Sequence, residues 1–182
     1  PSAFREQPHW SSWHERFVFS LPSREIMMNV NIVERVEEKI AFISHYGAPE
    51  RVFETAAQFI QWRKETGLSP IAKSRTYGIP FSDPEQTLSD EFRFDIAGTI
   101  TADIPENTYG VSTGTLPKGN YTVIRHLGSY DHIKDSVYHL YRDWLPQSAL
   151  EVGDFPVFFH YHNFIHDVDE CDLITDIYLL LK

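Results

Sequence analysis

Ile43-Ser44-His45-Tyr46-Gly47 and Ile124-Arg125-His126-Leu127-Gly128 stand 81 residues apart in the chain. The same spacing carries Val52 to Ile133, Phe59 to Leu140, and Asp95-Ile96 to Asp176-Ile177. A correspondence kept from the start of each block to its end implies two copies of one supersecondary unit. Two copies are too few for a solenoid, so they predict a pseudo-twofold domain. The groove between two such halves is a common place for a ligand pocket. A binding module therefore ranks ahead of any catalytic reading.

Both copies read in the same order. In the first, residues 30–36 and 39–45 carry apolar side chains at alternate positions, a strand signal. Gly47-Ala48-Pro49 breaks the run. Val52, Ala56, Phe59 and Ile60 then fall on one helical face, with Gly67 at the expected stop. Residues 77–81 and 92–100 read as closing strands. In the second copy, residues 121–126 are a strand and Gly128-Ser129 a break. Ile133, Val137, Leu140, Tyr141 and Trp144 form a helical stripe that Pro146 is expected to stop, and residues 155–163 and 173–181 are the closing strands. The strands follow one another too closely for repeated βαβ crossovers. The predicted fold is α+β: two pseudo-symmetric strand-helix-strand-strand repeats, about 29–105 and 106–182, lie side by side. They form one antiparallel-rich sheet with helices on one face and a ligand cleft on the other. Residues 1–28 stand outside the repeat, as a linker and the remnant of an upstream domain.

Composition narrows the function classes. A chain of 182 residues with 42% hydrophobic content can bury one real core. Its longest apolar runs, such as 177–181, are far too short to cross a bilayer, and no secretory signal opens the sequence. The single cysteine, Cys171, excludes an intrachain disulfide and fits a reducing cytoplasm. It lies among Asp169, Glu170 and Asp172, which would raise its pKa and make it a poor nucleophile. A net charge of −10 argues against gripping nucleic acid with this chain's own surface. No Gly-rich phosphate loop and no nucleophile elbow occurs.

Several ordered pieces carry a family resemblance. Ile79-Pro80-Phe81-Ser82-Asp83-Pro84 followed by Phe92-Arg93-Phe94-Asp95 resembles the middle signature of the GyrI-like effector-binding family. Gly119-Asn120-Tyr121-Thr122-Val123 through His126-Leu127-Gly128-Ser129-Tyr130 resembles its second-half signature. Trp144-Leu145-Pro146, Pro156-Val157-Phe158 and Asp176-Ile177-Tyr178 complete the set in order, over roughly residues 29–182. The resemblance implies two repeats with a cleft between them that senses a small-molecule effector. Pro1-Ser2-Ala3-Phe4-Arg5-Glu6 resembles the end of an AraC/XylS-type DNA-binding domain, and an opening on Pro1 suggests a piece of a longer polypeptide. Together these imply the C-terminal sensor of a transcriptional regulator that reaches DNA only through a missing N-terminal domain. One departure matters. Members that bind cationic drugs or hydrolyse toxic compounds carry Glu in a Pro-x-Phe-Glu-x-Tyr pattern, and Phe159 stands at that place here. A cationic ligand needs a buried carboxylate for charge compensation, and hydrolysis needs one as acid or base. Both readings are lowered by its absence.

Strand alternation puts Val157, Phe159 and Tyr161 on one face and Phe158 and His160 on the other. If the family Glu faces the cleft, the first three line it, joined from the first repeat by Tyr46, Tyr77 and, at the groove rim, Trp62. His160 and His162 form an HxH, but spacing fixes no third ligand, so no metal and no cofactor is assigned. His45 and His126 are expected to hydrogen-bond backbone at the strand ends, and Asp95 and Asp176 to stabilise the fold. The resulting reading is a sensor of a small apolar or aromatic effector, not an enzyme, with no membrane partner. Two alternatives stay open: a hydrolase of small toxic compounds using Tyr161 with another carboxylate, and a gyrase-inhibitor-like module binding protein through an acidic surface. A homodimer is also left open.

Overall fold

The computed structural model describes residues 29–182. Each copy opens with a long strand, β2 (Glu38–Tyr46) in the first and β6 (Gly119–Leu127) in the second. A helix follows in each, α1 (Val52–Thr66) and α2 (Ile133–His139). Two strands then close each copy, β3 (Thr76–Pro80) with β4 (Arg93–Thr99), and β7 (Phe158–Tyr161) with β8 (Ile174–Leu180). Short strands precede each opening strand: β1 (Asn31–Arg35) and β5 (Ser112–Leu116). All eight form one antiparallel sheet in the order β1-β6-β8-β7-β3-β4-β2-β5. The halves meet at β3 and β7, where Gly78 faces Phe159 and Tyr77 faces His160.

The edge strands are exchanged between halves. β1 leads directly into β2 yet pairs with β6, and β5 leads into β6 yet pairs with β2. In the strand order each of these linked pairs lies six positions apart, which in a flat sheet is about 29 Å. Val36-Glu37 and Pro117-Lys118, the two links, reach no more than about 11 Å. The sheet must therefore curl until its edges approach, and it forms a half-barrel. β5 carries no apolar alternation, and only Leu116 is buried. It becomes a strand because the outer edge of β2 needs partners, which Gly114 permits: a Cβ there would stand 2.9 Å from the Phe42 ring.

Core residues divide by face. On the helix face, α1 packs Phe59 and Trp62 against Ala41, Ile43 and Ile96. On the same face α2 and the turn after it pack Ile133, Val137, Leu140 and Tyr141 against Ile124, Val157, Phe159 and Ile177. The helix-free face is the concave interior, where one cluster draws on both halves: Ile40, Tyr77, Ile79, Leu116, Tyr121 and Phe158. Phe158 sits at its centre, stacked on Tyr178 at 5.1 Å and meeting Tyr77 and Tyr121 edge-on at 5.6 Å each.

Helix ends follow local chemistry. α1 stops at Gly67, whose φ of +66° supplies a left-handed cap and whose N–H bonds to the Arg63 carbonyl at 3.0 Å. Pro146 does not stop the second helix, contrary to the expectation from sequence. The ladder widens into a π turn over Leu140–Trp144, Leu145 N–H reaches back to Leu140 O, and one further turn, α3 (Leu145–Ser148), follows. A proline ring crowds the carbonyl four residues back, and the wider turn accommodates it.

Candidate functional site

The strand-end histidines organise each half. His45 donates from Nε2 to the Ala48 carbonyl at 3.0 Å, and its Nδ1 lies 2.8 Å from the Thr55 hydroxyl. His126 does the same with the Ser129 carbonyl at 2.9 Å and the Ser136 hydroxyl at 3.0 Å. A carbonyl can only accept, so Nε2 carries the proton in both. Each imidazole ties a strand end to the turn and helix that follow it, which is the structural role the sequence implies.

On the helix face, a seam of aromatic rings marks the pseudo-twofold. Phe94 packs against both helix-side clusters, and its ring lies 6.5 Å from that of Phe159. Tyr161 lies 6.5 Å from Phe159 and 5.3 Å from Tyr130. Gly78 makes room for this group, since a Cβ there would stand 2.5 Å from the Tyr161 hydroxyl and 2.6 Å from Phe94 Cζ. Burial holds the Tyr161 phenol well above the usual tyrosine range. Its ring nevertheless keeps partial exposure, and its hydroxyl has no hydrogen-bond partner among the described residues. The seam is an aromatic floor with one polar group that lacks a hydrogen-bond partner among the described residues.

A second feature occupies the concave face. A cavity of ≈360 Å³ opens there, lined by Glu34, Arg35 and Val36 from the end of β1, by Glu38 and Arg75, and by His160, His162 and Tyr178. Its volume lies in the range of small-molecule sites. The Arg35 guanidinium lies 4.5 Å from the Tyr178 ring centroid and 5.5 Å from that of Phe158. It donates to Glu38 and to the Tyr77 hydroxyl at 2.9 Å each, and Arg75 meets Glu38 at 2.5 Å.

The sequence-predicted residues are thus split between two faces. Val157, Phe159 and Tyr161 point to the helix side and not into the helix-free cavity. Strand pairing sets their parity opposite to that of Phe158 and His160, which face the hollow. Tyr77 lies on the concave face but is fully buried, its hydroxyl donating to Glu38 at 2.5 Å. Trp62 is not at a groove rim: it is 1% exposed and stacked on Phe59 at 5.5 Å in the α1 core. Tyr46 is 64% exposed at the end of β2, with Arg93 5.8 Å from its ring. On the helix face, Phe159 and Tyr161 come together with other aromatic groups at the junction of the halves. Phe94, Tyr130 and Gly78 belong to the same seam and were missed. The signal for Gly78 was its position 81 residues before Phe159, small against large across the axis.

Sequence spacing also missed a third partner for the HxH. Strand pairing sets His160 opposite Asp176, and His162 Nε2 lies 2.7 Å from Asp176 Oδ2. Ligand atoms of His160, His162 and Asp176 all lie within 4.8 Å of one another. Arg125 holds both carboxylate oxygens, at 2.8 and 2.9 Å. Burial pushes the Asp176 carboxyl up, but the bonds from Arg125 and His162 outweigh it and hold the group below its usual range. Burial, with His162 and Arg75 nearby, lowers His160 to about 4. It is a neutral imidazole at neutral pH, and neither nitrogen has a hydrogen-bond partner among the described residues.

Comparison with known proteins fits this architecture. Residues 28–182 match the GyrI-like small molecule binding domain. The probable transcriptional regulator YgiV of Escherichia coli K12 is 42% identical over 156 residues, covering 86% of this chain and 98% of that protein. The crystal structure of the EcmrR C-terminal domain superposes with a TM-score of 0.69 at 11% identity, covering 86% of this chain and 99% of the other. The structure of SAV2435 bound to tetraphenylphosphonium superposes with a TM-score of 0.53 at 16% identity, covering 85% and 94%. With a family match over the whole described region and a relative this similar, the chain belongs to the GyrI-like small-molecule-binding domain family.

Proposed function

We propose that this chain is the effector-sensing domain of a transcriptional regulator, and that its effector is a small, mainly apolar aromatic molecule held over the seam between the two helices. The observation that carries this reading is the convergence of Phe94, Tyr130, Phe159 and Tyr161, from both repeats, around Gly78, with no hydrogen-bond partner for the Tyr161 hydroxyl among the described residues. Aromatic faces bind flat ligands well, and one polar group fixes orientation. The regulator name of the E. coli relative supports the sensing role. Binding shifts the regulator by its different affinity for two states. DNA contact belongs to another domain, given the net charge of −10. An AraC/XylS-type domain is assigned on the resemblance of residues 1–6 alone, which lie outside the described residues.

SAV2435 holds tetraphenylphosphonium, an aromatic cation, on the same fold. Here Phe159 stands in the seam, and none of the seam residues named among the described ones is a carboxylate, so a neutral ligand is preferred. The test is a fluorescence titration with a neutral aromatic dye and a cationic dye of similar size. Tighter binding of the neutral dye is expected, and Phe159→Ala should weaken it by about 30-fold or more, the usual consequence of truncating an aromatic anchor. Tyr161→Phe should cost only about 1 kcal/mol of binding. Equal or better binding of the cation, unimproved by Phe159→Glu, would overturn the ligand class. Turnover of an ester or amide library that Tyr161→Phe abolishes would replace the sensor with the hydrolase.

A further inference from the structure

We propose that His160, His162 and Asp176 form a divalent transition-metal site on the wall of the concave cavity, on the face opposite the aromatic seam. Two neighbouring strands supply the three ligands: the imidazoles project from alternate positions of β7, and the carboxylate is the register partner of His160 on β8. Their donor atoms already lie within 4.8 Å of one another. Ligands on one zinc ion stand about 3.4 Å apart, so the widest gap closes by small side-chain rotations. Asp176 is pre-oriented by Arg125, which can keep one carboxylate oxygen while the metal takes the other. Imidazole and carboxylate donors suit zinc, nickel, copper or cobalt, and the hollow beside them leaves coordination positions open to water or a further donor.

The first repeat serves as an internal control. Ile79 and Phe81 stand there at the positions of His160 and His162, while Asp95 still receives a bidentate arginine, Arg93, at 3.1 and 2.8 Å. Holding the aspartate in the fold therefore needs neither imidazole. His160 in particular makes no hydrogen bond among the described residues, and its ring lies 4.1 Å from that of His162. The repulsion of the nearby cations is moderated, because Arg35 and Arg75 share Glu38 and Arg125 is paired with Asp176 itself.

The test is titration of the chelator-treated 182-residue chain with Zn²⁺ alone, and with Co²⁺ read by its visible absorbance. One equivalent should saturate the protein, raise its thermal midpoint by mass action, and give cobalt bands of a low-coordinate histidine site. His160→Ala and His162→Gln should each weaken zinc binding by at least about tenfold. The metal-free midpoint of His160→Ala should fall only slightly, since that ring packs on Tyr77 and His162 but makes no hydrogen bond among the described residues. Absence of a one-equivalent endpoint with both ions overturns the site. So does binding that is undiminished in His160→Ala, which would put the metal on other histidines of the chain. If His162→Gln unfolds, the His160→Ala titration and the wild-type cobalt spectrum still decide.

Discussion

Single residues show where local chemistry is under tension. Asp83 is fully buried, its Oδ1 accepts from the Glu85 N–H at 2.9 Å, and its Oδ2 lacks a hydrogen bond of good geometry among the described residues. Burial, aided by the charge of Glu85, raises its pKa. An acid whose folded pKa exceeds its unfolded value, near 3.9, binds its proton more readily in the native state. Its penalty is absent at low pH, grows as pH climbs through the folded pKa, and is fully present at neutrality. Asp83→Asn keeps the turn bond and removes the charge, so it should stabilise the protein at pH 7 by about 1 kcal/mol. Urea midpoints of the two proteins should converge toward pH 4. Gly78→Ala should act in the opposite sense, by about 1–3 kcal/mol, because the new methyl collides with both Tyr161 and Phe94. Tyr161→Phe should recover part of that loss, and a strictly additive double variant would mean the hydroxyl is not the obstacle. Residues of this kind were partly legible beforehand. His45 and His126 announced their role by recurring before a Gly break. The side that Phe159 faces did not follow from alternation, which separates two faces without saying which one the helices cover.

At the scale of elements, the strand-turn-helix joint is the repeated part. His126 links the end of β6 to the turn at Ser129 and to Ser136 on α2. His126→Ala should cost about 2–3 kcal/mol, since it removes two hydrogen bonds and strands their partners. Ser136→Ala should cost about 1 kcal/mol. The double variant should fall close to His126→Ala alone, because the hydroxyl has then already lost its partner. Chemical denaturation of the four proteins measures the coupling, and full additivity would show that the two groups do not act together. The strands and helices with clean apolar periodicity, such as β2 and α1, were readable from sequence. β5 was not, because Ser112-Thr113-Gly114-Thr115 has no buried stripe and owes its form to the open edge of β2. The run through Pro146 misled for a related reason: proline opposes an α ladder, and a π turn was the unforeseen way around it.

For the molecule as a whole, the 81-residue correspondence made two related halves legible, but it could not show how they are joined. Pairing partners are chosen in space, and nothing in residues 31–35 says that they will lie on β6 and not on β2, two residues away in the chain. The exchange has a thermodynamic consequence. Each half draws one edge strand from the other, the concave core takes side chains from both, and β3 pairs with β7 at the centre. Unfolding one half would strip the outer partner from the other half's opening strand and expose its share of the common core. The halves should therefore unfold as one cooperative unit despite their internal symmetry. Far-ultraviolet circular dichroism and tryptophan fluorescence should give coincident urea transitions. The described tryptophans, Trp62 on α1 and Trp144 beside α2, report on different halves. Native-state hydrogen exchange should likewise give β4 and β8 amides the same opening free energy. Val33→Pro tests the link directly. Val33 packs against the concave core from β1 and lies opposite Tyr121. Proline there removes a backbone donor from an edge strand and part of an apolar contact. The loss should lower the single transition in both probes equally, although β1 is contiguous with the first repeat and paired with the second. Two separated transitions, or a shift confined to one tryptophan, would show that the repeats are independent folding units and that the exchange is only a connection.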